Sequence, residues 1–139
     1  MLTETDIVGF IQDVKKSLED GIRKNSVSYY PMREITTVFS LAGRLKREPK
    51  YVMYADIFGS LTGVLMRFPP DFSNLVDDKD NIRSLLQKIP KFLDEFALAL
   101  GKDSQAVYES LQKLALLTDD MREMNDRISR RLPKELPTA

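Results

Sequence analysis

Apolar residues return at helical spacing along nearly the whole chain. Ile7, Ile11, Val14, Leu18 and Ile22 recur every three or four residues, which predicts a first helix from about Glu4 to Lys24. Thr3 or Thr5 is placed to cap its start. Asn25-Ser26-Val27-Ser28 reads as a loop, and Pro31 suits the first turn of a second helix with the stripe Ile35, Val38, Phe39, Ala42 and Leu45. Arg44, Lys46 and Arg47 stand at its C-terminal end, where cations complement the helix dipole. Pro49 stops that helix and can open the next.

A third helix, from about Lys50 to Phe68, is apolar on most sides, and Asp56, Ser60, Gly63 and Arg67 form one narrow polar stripe along it. Its length approaches that of a membrane span, but Asp56 and Arg67 inside it argue for a helix central in a bundle. Ala55, Gly59 and Gly63 lie four apart, a spacing that permits close helix packing. Phe68-Pro69-Pro70-Asp71-Phe72 is a rigid break, after which Asp71 or Ser73 can cap a short turn. From Asp78 a further stripe runs through Ile82, Leu85, Leu86, Ile89, Leu93, Phe96, Ala97 and Leu100 and stays in register across Pro90. This predicts one helix kinked at the proline or two nearly collinear ones, ended by Gly101.

Asp103 or Ser104 starts the last helix, which extends to about Arg131. Val107, Leu111, Leu114, Thr118, Met121, Asn125, Ile128 and Leu132 alternate spacings of four and three, a heptad seam. Strand and hairpin signals are lacking. The expected fold is therefore all-α: a compact bundle of five or six helices with a long C-terminal helix, one domain over residues 1–132 and a frayed tail over 133–139.

Composition narrows the chemistry. The 139 residues contain no cysteine and no histidine. This removes thiol nucleophiles, disulfides, structural zinc sites and histidine-dependent acid–base catalysis. Lysines and arginines number 21, as do aspartates and glutamates, so a nucleic-acid or membrane surface would need a local patch. The acidic N-terminal segment lacks the pattern of a signal peptide, and the expected compartment is the cytoplasm.

Three features invite functional readings. Between Tyr29 and Pro70 six cations face three acids, with Tyr29, Tyr30, Tyr51 and Tyr54 interleaved. Arg44, Arg47, Lys50, Tyr51 and Tyr54 are the candidate partner-binding residues. Tyrosine beside arginine suits a protein interface, and stacking rings beside phosphate-binding cations suit single-stranded nucleic acid. Second, Asp77-Asp78-Lys79-Asp80 and Asp119-Asp120-Met121-Arg122-Glu123 are acidic clusters. Asp119 and Glu123 share a helix face and could hold Mg²⁺ for phosphate chemistry, although interspersed arginines fit a solvated face better. Third, the last helix outruns a bundle of shorter helices. Met121, Met124, Asn125, Ile128 and Leu132 are thus expected at an oligomer interface, with Asn125 setting register. Together these point to a non-enzymatic, cofactor-free helical interaction module, the expected partners being an unidentified protein and a second copy. A small nucleic-acid-binding subunit is the alternative, and a Mg²⁺-dependent enzyme the third reading.

Overall fold

The chain enters its first helix through a reciprocal cap. In the computed structural model, which describes residues 3–131, the Asp6 N–H donates to Thr3 Oγ1 and the Thr3 N–H donates to Asp6 Oδ2, each at 3.1 Å. These bonds satisfy donors that a first helical turn leaves unpaired. The helices are α1 (Glu4–Arg23), α2 (Tyr30–Lys46), α3 (Pro49–Leu65), α4 (Lys79–Leu86), α5 (Lys88–Ala99) and α6 (Ser104–Arg131). The fold is an all-α bundle with a long C-terminal helix. Its extended pairing, among the described residues, is a single isolated bridge between Ser26 and Asp71. There the Val27 N–H donates to the Pro70 carbonyl at 2.8 Å and the Phe72 N–H to the Asn25 carbonyl at 2.9 Å. Arg83 of α4 donates from Nε to Asn25 Oδ1 at 3.0 Å, so two long connections and α4 are tied together.

Helices α2 and α3 form the most extensive pair. They run antiparallel, because Gly43 meets Tyr51 and Val52 at one end while Thr36 meets Gly59 and Thr62 further along. A Cβ on Gly43 would lie 3.4 Å from Val52 Cγ2, an ordinary van der Waals contact, so the helices are close here without glycine being required. The close packing brings Phe39 of α2 against a ring set from α3 and α5. Its centroid lies 5.4 Å from Tyr54, 5.5 Å from Phe58, 5.8 Å from Phe96 and 6.2 Å from Tyr51. Stacked and edge-on pairs at these distances add to the burial of the rings themselves.

The polar stripe expected on α3 is real: Asp56, Ser60, Gly63 and Arg67 all face solvent. Leu45, assigned to the apolar stripe of α2, is exposed instead. The stripe through Pro90 resolves into two helices, with the break three residues before the proline at Gln87. Pro90 has no N–H for the Leu86 carbonyl and its ring would crowd that carbonyl, so the ladder stops where proline chemistry requires.

The C-terminal helix differs most from its sequence reading. Val107, Leu111, Leu114, Thr118, Met121, Asn125 and Ile128 are all buried, as is Met124. Helix α6 packs on α5 and α3 and also touches α4. The covering comes from within: α5 and α3 supply most of the neighbours of α6, and α4 adds a smaller contact. Met121, Met124, Asn125 and Ile128 are therefore not the free edge expected for an oligomer contact. Leu132 and the tail over 133–139 lie outside the described residues.

Replacing Phe39 by alanine removes a ring that touches four others. We expect a loss of about 3–5 kcal/mol in urea unfolding, a large part of the ~5–15 kcal/mol typical of a domain. A loss below about 1 kcal/mol would place the core elsewhere.

Candidate functional site

The basic-aromatic stretch divides into an inside and an outside. Tyr51 and Tyr54 are 1% and 6% exposed, which makes them core residues and not stacking platforms. Their positions follow from the period of α3, since Tyr51, Tyr54, Ala55, Phe58, Leu61, Thr62 and Leu65 form its buried face. Lys46 and Lys50 cover Tyr51 from outside, with Nζ 5.6 and 5.2 Å from the ring centroid. Two of the cations thus serve partly to close the core.

Lys50 also lies 3.2 Å from Glu48 and 3.8 Å from Glu4. The hydrogen bond to Glu48 is the main reason its ammonium pKa is raised. Burial is the main reason the Tyr54 hydroxyl is pushed upward, with the nearby Lys50 charge opposing it. Arg44 and Arg47 are exposed, and among the described residues neither has an ion-pair partner.

Arg47 carries a second peculiarity. It ends α2 in the left-handed region, φ 54° and ψ 33°, with its N–H donated to the Gly43 carbonyl at 3.0 Å. Glycine is the usual residue there, because a Cβ in this conformation costs roughly 1–2 kcal/mol. Asn25, also at positive φ, belongs to a residue type that tolerates the region well.

Beside these arginines lies apolar surface. Leu41 is 48% exposed, Leu45 67% and Val52 55%. Leu41, Arg44 and Leu45 are three and four residues apart, so they share one outward face of α2. Val52 sits at the α2–α3 junction against Gly43. Sequence reasoning missed this face because it drew a single apolar stripe through Leu45. The available signal was that Leu41 and Leu45 form a second row, offset from Ile35, Phe39 and Ala42.

Other candidate features have local uses. Asp119 pairs with Arg122 at 3.0 Å and Asp80 with Arg83 at 3.3 Å. Among the described residues no three acidic, cysteine or histidine side chains converge to hold a metal ion. Tyr29 and Tyr30 stack on each other at 4.5 Å at the start of α2, the opposite end from Arg44 and Arg47. A groove of about 530 Å³ between α1 and α5 is lined by Lys15, Glu19, Arg23, Lys91, Asp94 and Glu95. Within it Lys15 and Gln12 both donate to Asp94 at 3.2 Å, a lacing between the two helices. Among the described residues no helix is long and apolar enough to cross a membrane.

The Tyr54 environment gives a pH test. Its folded pKa lies above the unfolded value, so its contribution is intact below about pH 10 and falls as pH rises from there through the folded pKa. Tyr54→Phe should flatten the alkaline limb of the stability profile measured by urea unfolding. An unchanged limb would remove Tyr54 as its source.

Comparison with protein-family models, curated proteins and solved structures gave no match for this chain.

Proposed function

We propose that this chain is a helical protein–protein interaction module, an accessory, adaptor or regulatory subunit that works through the joined ends of α2 and α3. The observation that carries the reading is that exposed Leu41 and Leu45 stand beside Arg44 on one outward face of α2, with Arg47 exposed at its end and neither arginine in an ion pair among the described residues. Adjacent apolar side chains beside arginine have the composition of contact surfaces, whereas singly scattered leucines are ordinary. The strained backbone at Arg47 adds weight, since an arginine kept where glycine is easier points to a use for its side chain.

The nucleic-acid alternative has weaker support. Cations remain at this end, but Tyr51 and Tyr54 are inside and supply no face for a base. Catalysis by Mg²⁺ lacks a converging set of ligands among the described residues. Self-association through α6 has lost its physical basis, because the side chains that argued for it already have partners in their own chain. The cytoplasm stays the expected compartment.

Affinity capture from an extract of the native source tests the proposal. Wild type should retain a protein in defined stoichiometry, and the Arg44→Glu/Arg47→Glu double variant should lose it. Helix-end cations contribute only ~0.3–1 kcal/mol each, so the double variant should remain folded by circular dichroism. Arg47→Gly should unfold about 1 kcal/mol harder than wild type while holding the partner less well. Equal retention by all three proteins, or recovery of nucleic acid in place of protein, would contradict the proposal.

A further inference from the structure

We infer that the surface formed by Leu41, Arg44, Leu45 and Arg47 takes an acidic amphipathic segment of a partner protein, with apolar residues on one side and aspartate or glutamate beside them. This rests on the reading above that the ends of α2 and α3 bind protein. Two observations and one general preference select the occupant. The apolar contribution is a short row, Leu41 and Leu45, on one helix face, which matches the side chains of one helix or strand better than a broad domain surface. The charge beside that row is positive and uncompensated: the nearby Glu48 carboxylate is engaged by Lys50, while Arg44 and Arg47 have no acidic partner among the described residues. Arginine forks prefer carboxylates, which they meet in bidentate geometry.

The same charges argue against a second copy on this surface. An isologous contact would set Arg44 and Arg47 against their own copies, and like charges at a contact are costly. Nucleic acid is disfavoured by the burial of both tyrosines at this end. An anionic membrane would meet the same arginines, but Glu34, exposed about two turns before Leu41 on the same side of α2, would face the lipid charge across so broad a contact.

Selection of a random peptide library displayed on phage, against the full chain, tests the inference. The enriched peptides should carry apolar residues at helical or alternating spacing with flanking aspartate or glutamate. Their synthetic versions should bind roughly tenfold or more weaker to Arg44→Glu/Arg47→Glu, and also to Leu41→Ser/Leu45→Ser. Leu116→Ser, which alters an exposed leucine far along α6, should bind like wild type. Rising salt should weaken the complex. Enriched peptides that are neutral or basic, or that bind the two double variants undiminished, would overturn the acidic partner and leave the interaction module standing. No enrichment at all would count against both. Sedimentation with phosphatidylserine vesicles and titration with poly-dT run in parallel. Binding to either that is lost in Arg44→Glu/Arg47→Glu would overturn the inference in favour of lipid or nucleic acid.

Discussion

The arrangement depends on the close approach of α2 and α3, which puts Phe39 among Tyr51, Tyr54, Phe58 and Phe96. Gly43 lies against Val52 and Gly59 against Thr36 along this seam, and the Thr36 and Thr62 hydroxyls meet across it at 3.4 Å. Once the two helices pair, α3 has little choice of face. Its tyrosines turn inward, its polar stripe turns outward, and Lys46 and Lys50 lie over the outer edge of Tyr51. The same packing brings Val52 against Gly43.

Much of this was legible in the chain, because periodicity reports directly on which residues share a face. The order of elements, the threonine cap, the role of Pro49 and the exposed stripe on α3 all follow from spacing and local chemistry. What spacing does not carry is the identity of the neighbour. A heptad seam looks the same whether it meets another copy or the chain's own helices. For α6 the neighbours were underestimated: α5 and α3 both pack on it, and α4 adds to them. Tyrosine is ambiguous for a related reason, since its ring can be buried while its hydroxyl reaches the edge. Cations around Tyr51 therefore suggested an exposed patch when two of them were covering a core residue.

Arg47 illustrates a signal that only backbone geometry reveals. Sequence marks it as one of several cations at a helix end, a common and stabilising placement. Its left-handed conformation adds strain that a glycine would relieve. Strain of this kind, together with uncompensated charge and neighbouring exposed leucines, distinguishes this corner from the paired charges of the α1–α5 groove and of α6.

The central claim is that the seam of α6 through Met121, Met124 and Ile128 is covered by its own chain. Limited oxidation by hydrogen peroxide, read by peptide mass spectrometry, tests it directly through the methionines. Met32 and Met121 are 0% exposed and Met124 9%, against 41% for Met53 and 59% for Met66. Met53 and Met66 should oxidise rapidly, while Met32, Met121 and Met124 stay protected to the same degree in dilute and concentrated protein. If Met121 and Met124 react as fast as Met66, or lose protection on dilution, the end of α6 is covered by another molecule and the account fails.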